Sequence, residues 1–153
     1  MKNLSEILCE DCICMNIPVR SKPAVIRELV ALMAENERVT DPEALIEALM
    51  VRERIQTTGI GHGMALPHAT AEGVKGLIMA LGISREGVDF ESLDNQPVQL
   101  IFLLAGEPRL QTSFLSILSK ISRFFRKEEF RNRVLKAGSN QEIIALIRLC
   151  EER

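Results

Sequence analysis

The sequence predicts an α/β fold, a layered sandwich in which a mixed sheet of about five strands is flanked by helices. Two apolar runs, residues 77–83 and 98–105, are short and rich in branched side chains, as buried strands are. Amphipathic helical patterns precede and follow them and supply the cover that such strands need on both faces. We expect residues 1–153, which are 46% hydrophobic and 26% charged, to form one domain with a substantial core.

The N-terminal third of the chain predicts one strand and two helices. Apolar residues alternate with polar ones over residues 13–19, a period of two that indicates a half-buried strand. Ser21 can cap a first helix, and Pro23 suits its first turn. Asp41 followed by proline opens a second helix, whose last turn carries the Arg-Glu-Arg sequence of residues 52–54.

The remaining patterns predict a short edge strand at residues 88–90, a turn at 94–97 and a helical C-terminal half. One helical face there is apolar, which we interpret as core and not as a cofactor site. It comprises Phe114, Leu115, Leu118, Ile121, Phe124 and Phe125. Ser139 and Glu142 have the spacing of a capping box that opens the last helix.

Charge and hydropathy exclude several classes of function. A formal net charge of −2 gives no broad basic surface for nucleic acid. No apolar run approaches the roughly 18 to 20 residues that span a bilayer, and the N-terminus lacks the pattern of a signal peptide. We therefore expect a cytoplasmic protein without membrane insertion.

Four cysteines are present, three of them close together at positions 9, 12 and 14. A zinc site needs four ligands, and neither a second CxxC nor an HxxxH pattern follows. In a cytosolic chain we interpret Cys9, Cys12 and Cys14 as free thiols around a turn and an edge strand. No metal or other cofactor is predicted.

Residues 57–69 are the stretch in which chemistry is concentrated, and they read Thr-Thr-Gly-Ile-Gly-His-Gly-Met-Ala-Leu-Pro-His-Ala. Glycines at alternate positions allow turns and close approaches that a β-carbon forbids, so the stretch predicts a shaped loop and not a helix. Pro67 fixes its own φ and holds Leu66 extended. His68 therefore follows a stiff support, which suits a reactive side chain.

The imidazole of His68 is itself the predicted nucleophile. The loop offers no Ser or Cys close to a base, and no acidic residue lies between Arg54 and Glu72 to act as an acid or base. A neutral imidazole nitrogen can attack phosphorus when the other ring nitrogen is held by a hydrogen bond. Amides of the loop at Gly61 and Gly63, with a nearby arginine, would then neutralise the phosphoryl oxygens.

Other interpretations of these residues stay open. His68 taken alone could be an ordinary surface or core histidine, and His62, between two glycines, is expected to be an exposed loop residue that could touch a ligand. The glycine pattern lacks the lysine of a P-loop, so nucleotide binding is poorly supported. A metal-dependent hydrolase would require His62, His68 and a thiol to converge on one ion.

The sequence Thr-Gly-Ile-Gly-x-Gly-x-Ala-x-Pro-His at 58–68, preceded by Arg-Glu-Arg at 52–54, resembles a known active-site signature. It is that of the fructose/mannitol-type (type 2) enzyme IIA domain of the bacterial phosphoenolpyruvate-dependent sugar phosphotransferase system. The resemblance extends from about residue 4 to residue 151 and includes the turn at 94–98. In length and in this turn the chain is more similar to the free-standing nitrogen-regulatory branch than to a module of a sugar permease.

The resemblance implies a phosphoryl relay. A histidine matching His68 accepts phosphate, through Nε2, from the phosphocarrier HPr or a paralogue. It passes the phosphate to an enzyme IIB cysteine in the sugar branch, whereas in the regulatory branch the two phosphorylation states bind target proteins differently. The resemblance also places an arginine matching Arg52 against the phosphoryl oxygens, with Arg54 as a second candidate.

One departure from the family pattern concerns a second histidine that members commonly carry at the start of a later helix. Phe114 occupies that position here, and a phenyl ring cannot hydrogen-bond a phosphoryl group or an imidazole. Ser113 or Gln111 could substitute for it. The departure favours an alternative hypothesis, a regulatory protein-binding module with weak or no phosphotransfer.

A relay must release its partner after each transfer, which predicts a small apolar docking patch around His68. Met64, Leu66 and Phe114 are the candidates for this patch, although the same residues could belong to the core.

Overall fold

The computed structural model describes residues 3–152, and within them a mixed sheet of six strands forms the centre of the molecule. The strands are β1 (Leu8–Cys14), β2 (Gly59–Gly61), β3 (Met64–Ala65), β4 (His68–Thr70), β5 (Leu77–Val88) and β6 (Val98–Gly106). Their order is β1-β5-β6-β3-β2, and β4 also pairs with β6. The β5–β6 and β2–β3 pairs are antiparallel, and the other pairs are parallel.

Helices cover both faces of the sheet, as the sequence predicts. The α-helices are α1 (Leu4–Ile7), α2 (Lys22–Ala34), α3 (Pro42–Ile55), α4 (Phe114–Phe125), α5 (Glu128–Leu135) and α6 (Asn140–Glu151), and a 3-10 helix spans Pro108–Ser113. Alternate residues of β6 point to opposite faces. Phe102 packs with the buried residues of α1, α4, α5 and α6, whereas Leu103 packs with those of α2 and α3. The predicted layered α/β sandwich is confirmed.

The predicted helix caps are present. The Ser21 hydroxyl, the Asp41 carboxylate and the Ser139 hydroxyl each accept a hydrogen bond from a backbone N–H of the first turn that follows them. The second arm of the predicted capping box is displaced by one residue, because the Glu142 carboxylate accepts from the N–H of Gly138 and not from that of Ser139.

Two strand predictions were wrong in their boundaries. The first strand is β1 at Leu8–Cys14 and not residues 13–19. Only residues 13 and 14 of the predicted strand pair with β5, and beyond them a single hydrogen bond runs from the Ile17 N–H to the Ile83 carbonyl. The predicted edge strand at 88–90 is not separate, because β5 continues through an irregularity to Val88. Gly87, at φ 92°, adopts the left-handed backbone that this irregular segment requires.

The sheet has six strands where about five were predicted, because the glycine stretch forms strands of its own. β2, β3 and β4 all lie within residues 57–70, and their backbone groups pair with one another and with β6. Gly61 and Gly63 have φ of 98° and 74°, so the shaped backbone predicted for this stretch is confirmed at these two residues.

The predicted apolar stripe of α4 differs from the observed one at two positions. Leu115 is 76% exposed, whereas Ile117, which the prediction omitted, is buried together with Phe114, Ile121 and Phe125. Among residues 3–152, no helix combines the length and the apolarity needed to cross a membrane.

Candidate active site

His68 begins β4 at the point where a proline interrupts the pairing of the chain with β6. Met64 is in register with Leu100 and His68 with Leu104, so β3 and β4 would form one continuous strand were it not for the residues between them. Pro67 has no N–H to give to the ladder, although its carbonyl still accepts from the Leu104 N–H. The interruption turns the Leu66 carbonyl toward the imidazole.

The carbonyl oxygen of Leu66 lies 2.7 Å from Nδ1 of His68. Because a carbonyl oxygen can only accept, Nδ1 carries the proton in this hydrogen bond, and the lone pair of the neutral ring is on Nε2. Burial lowers the pKa of His68 below its ordinary value, and the positive charge of Arg52 lowers it further. The imidazole is thus held neutral, in one tautomer, and partly exposed.

Phe114, at the start of α4, contacts the imidazole of His68. The two rings meet edge to face, with their centroids 6.0 Å apart and their planes at 81°. Phe114 is 5% exposed and contributes to the desolvation of His68. The expected second-histidine position therefore does lie beside His68, and in this chain an apolar ring occupies it.

The three candidate residues for the docking patch are core residues, which was the alternative left open by the sequence. Met64, Leu66 and Phe114 are 2%, 5% and 5% exposed and belong to the core between the sheet and α4. Their side chains lie on the same side of the sheet and are buried, so they offer no surface to a partner. Leu115, next to Phe114, is the exposed apolar residue of this segment.

Arg52 is the arginine that the structure brings to His68. It lies in the last turn of α3, which packs against β4, and its Nη1 donates to the Gln56 carbonyl at 2.7 Å. Its charge is close enough to lower the pKa of His68. Arg54 points elsewhere, since it lines a shallow cleft with Lys22 and other residues of α2 and α3. Ser113 caps no N–H of α4 with its side chain.

The glycines predicted to bind the phosphoryl group lie at a distance from His68. Gly63 accepts hydrogen bonds from the backbone of Gln99 and Leu100, at the opposite end of β6 from Leu104. Leu100 and Leu104 are four residues apart on β6, a distance of roughly 13 Å. Gly61 belongs to the same turn, so these amides do not reach the His68 imidazole.

His62 shares this remote position. Its backbone has a φ of 58°, and its side chain is exposed in a polar cleft with Asp94, Gln96 and Arg131. Hydrogen bonds from backbone N–H groups, first that of Gln96 and also that of His62, lower the pKa of Asp94. A catalyst that uses His62 and His68 on one metal ion is incompatible with this separation.

A buried polar network beside the site escaped the sequence analysis. Glu53 is 7% exposed, and its carboxylate accepts from Lys22 Nζ at 3.0 Å, from the Thr58 N–H at 3.2 Å and from the Thr58 hydroxyl. The signal was available, because Glu53 is spaced four and eight residues from the buried Leu49 and Leu45 of the same helix. An acidic residue in the last turn of a helix, against the dipole, also indicates a specific partner.

The clustered cysteines have no part in the site. Cys9, Cys12 and Cys14 are thiols on β1, an edge strand, which confirms the interpretation made from the sequence. Burial, with the neighbouring Cys9, raises the pKa of Cys12 to about 12, so this thiol is unreactive at neutral pH. Within residues 3–152, no three His, Cys, Asp or Glu side chains are grouped so that they could hold a metal ion.

The fold and the site together define an α/β protein with a partly exposed imidazole on β4, whose Nδ1 is hydrogen-bonded to a backbone carbonyl. The sequence profile of the family described as phosphoenolpyruvate-dependent sugar phosphotransferase system, EIIA 2, matches residues 6–149. The chain therefore belongs to this family, and it is a phosphoryl-transfer component of that system. The resemblance stated from the sequence is confirmed.

Two relatives named as fructose-specific components are similar to this chain. The fructose-specific EIIABC component of Bacillus subtilis is 38% identical over 94% of the chain, which spans only 23% of that protein's length. The fructose-specific EIIA component of Haloferax volcanii is 33% identical over 92% of each chain.

Two solved structures have folds similar to that of this chain. Nitrogen regulatory protein IIA-Ntr from Neisseria meningitidis superposes with a TM-score of 0.86 at 32% identity, covering 94% of this chain and 98% of that one. The complex of enzyme IIAMTL with phosphorylated enzyme IIBMTL from Escherichia coli has a TM-score of 0.78 at 20% identity, over 90% of this chain and 94% of that one. This second likeness shows the fold.

Proposed function

We propose that Nε2 of His68 accepts a phosphoryl group from an HPr-like phosphocarrier and then donates it to an acceptor. The hydrogen bond between Nδ1 and the Leu66 carbonyl carries the proposal, since it presents the Nε2 lone pair for attack. In the first step Nε2 forms a bond to phosphorus, the bond from phosphorus to the carrier breaks, and its electron pair returns to the carrier. Nδ1 keeps its proton throughout.

Arg52 supports the charged state of the proposed intermediate. Phosphorylation of Nε2 places a dianionic group beside His68. The guanidinium of Arg52 is a neighbouring cation, since its charge lowers the pKa of the imidazole. Its hydrogen bond to the Gln56 carbonyl fixes the end of the side chain, so little conformational entropy is lost when the phosphoryl group arrives.

The acceptor that we propose is an enzyme IIB-like protein or a regulated target. The name of the Bacillus subtilis relative joins the A, B and C components in one protein, which supports transfer from an A to a B unit. The Neisseria meningitidis structure is titled as a nitrogen regulatory protein, which supports regulation.

The test is intact-mass analysis after incubation with phosphoenolpyruvate, enzyme I and HPr or a paralogous carrier. We expect the wild type to gain one acid-labile phosphoryl group and the His68→Ala variant to gain none. His62→Ala is the matched control, because the chain has two histidines and this one lies at the remote turn. It should be phosphorylated like the wild type. A wild type that stays unmodified with every carrier would contradict the proposal.

A second candidate function, regulation by binding with little transfer, is favoured by Phe114. The ring that contacts His68 supplies no hydrogen-bond donor to a phosphoryl group. This candidate predicts that a partner captured by the wild type also binds His68→Ala with unchanged affinity. Binding that depends on phosphorylation of His68 would exclude it.

A further inference from the structure

The site is connected to a buried ion pair that lies behind it, between α2 and α3. The Lys22 ammonium and the Glu53 carboxylate are 3.0 Å apart, and their side chains are 10% and 3% exposed. Lys22 also stands 4.9 Å from the ring centroid of Phe90 and donates weakly to the Thr57 hydroxyl. Burial of two charges costs several kcal/mol in desolvation, so such a pair is poor evidence of added stability.

A continuous series of hydrogen bonds runs from this ion pair to the imidazole. Glu53 accepts from the N–H and the hydroxyl of Thr58. The carbonyl of Thr58 accepts from the Leu66 N–H at 3.0 Å, and the carbonyl of Leu66 holds Nδ1 of His68 at 2.7 Å. At Thr58 and at Leu66 the N–H and the carbonyl of one residue take part in successive hydrogen bonds, so the series passes through the backbone of both residues.

We propose that Glu53 is a positioning residue for His68, setting its ring orientation and tautomer through Thr58 and Leu66. The inference rests on the proposed function, since it explains how the nucleophile is prepared. The charged carboxylate matters because it accepts from three donors at once: the Thr58 N–H, the Thr58 hydroxyl and Lys22. Lys22 and the Thr58 N–H both donate to Oε2 of Glu53, whereas the Thr58 hydroxyl donates to Oε1.

The packing around Thr58 restricts the movement of its backbone. Thr58 is 3% exposed, and the next residue, Gly59, has no room for a side chain, since a Cβ there would lie 2.9 Å from the Cα of Ser92. The backbone at this point is therefore held in one place as long as Glu53 holds Thr58. Without the carboxylate, the N–H and hydroxyl of Thr58 lose their acceptor, and the Thr58 carbonyl no longer holds the Leu66 N–H in a fixed position. The Leu66 carbonyl can then turn away, so Nδ1 of His68 loses its defined acceptor.

The experiment compares the tautomer of His68 and its rate of phosphorylation in matched variants. Long-range proton–nitrogen NMR of the neutral imidazole reports which nitrogen carries the proton. We expect the wild type to show mainly Nδ1–H, and Glu53→Gln and Lys22→Met/Glu53→Gln to show a mixture in which Nε2–H is prominent. Partners that orient metal-binding histidines are worth about 10- to 100-fold in activity, and by analogy we expect phosphorylation by the carrier to slow by about tenfold or more.

A second pair of variants protects the test against loss of folding in the Glu53 variants. Thr58→Val removes the hydroxyl that donates to Glu53, whereas Thr58→Ser keeps it. We expect Thr58→Val to shift the tautomer and slow the reaction, and Thr58→Ser to restore both. If Thr58 contributed only to stability, Thr58→Val and Thr58→Ser would show the same His68 tautomer by NMR.

A second buried ion pair among the described residues offers a matched control. Lys120 and Glu151 have side chains 10% and 5% exposed, and they join α4 and α6 in the opposite layer of helices. Lys120→Met/Glu151→Gln should leave the His68 tautomer unchanged and the rate within about twofold of the wild type.

Two results would have different meanings. If the folded Glu53→Gln and Thr58→Val variants retain the wild-type tautomer and rate, or if the Lys120 and Glu151 control shifts them equally, the positioning role is wrong. If no carrier phosphorylates the wild type, the proposed function fails, but the tautomer comparison still decides whether Glu53 positions His68.

Discussion

The ring of Phe114 meets the imidazole of His68 edge to face at a centroid separation of 6.0 Å. One edge of the imidazole is therefore in contact with hydrocarbon, while Nδ1 is held by the Leu66 carbonyl. Burial is the largest cause of the lowered pKa of His68, so the neighbouring phenyl ring helps to keep the imidazole unprotonated.

Truncating Phe114 should raise the pKa of His68. In Phe114→Ala, water enters beside the imidazole and its charged form is better solvated, so the pKa moves up toward its ordinary value. Because Phe114 is buried, the free energy of unfolding should also fall by about 3 kcal/mol. NMR titration of His68 measures the first effect. Phe124→Ala, in the same helix, is the control that should not move the pKa, and an unchanged pKa in Phe114→Ala would contradict the desolvation argument.

Placing a histidine at position 114 should accelerate phosphoryl transfer to His68. Phe114→His puts a donor N–H within reach of a phosphoryl group on the neighbouring ring, and a hydrogen bond to a charged group contributes about 1.5–3 kcal/mol, or about tenfold or more in rate. Single-turnover phosphorylation by the carrier measures the gain. A variant with the wild-type rate would show that Phe114 does not limit transfer.

Replacing Arg52 should impair transfer far more than replacing Arg54. Arg52→Gln removes the cation that acts on His68, so phosphorylation should slow by about 100-fold while the pKa of His68 rises. Arg54→Gln alters an arginine two residues away that faces a different cleft, and its rate should stay within about twofold of the wild type. Equal losses in the two variants would argue for a general effect of positive charge.

The rate of phosphorylation should decrease as the pH falls through the pKa of His68. Nε2 attacks only when the ring is neutral, and its pKa lies below the 6.5 of an ordinary histidine, so the protein should keep full activity to a lower pH than an unperturbed imidazole would. Comparing the wild type with Phe114→Ala against the same carrier cancels the titration of the carrier. The variant should lose activity first as the pH is lowered, and coincident profiles would contradict this account.

The sequence predicted the elements whose signal is local. The buried strands and the caps at Ser21 and Asp41 each depend on patterns within a few residues. The family resemblance placed Phe114 beside His68, and the ring contact agrees with it.

The remaining features depend on contacts between residues far apart in the chain. Gly61 and Gly63 are close to His68 in sequence. Because β3 and β4 run along β6, however, these glycines lie near the opposite end of β6 from His68. The boundaries of β1 depend on its pairing with β5, and a period of two over residues 13–19 cannot reveal that pairing. The Lys22–Glu53 ion pair joins residues 31 positions apart, so only the spacing of Glu53 on α3 could have indicated that it is buried.

The most direct measurement of the central claim is phosphorus–nitrogen correlation NMR on the phosphorylated protein labelled with nitrogen-15 in histidine. We predict one phosphorus signal coupled to Nε2 of His68, with Nδ1 still protonated against the Leu66 carbonyl. A phosphoryl group on Nδ1, on His62 or on a residue other than histidine would contradict the account.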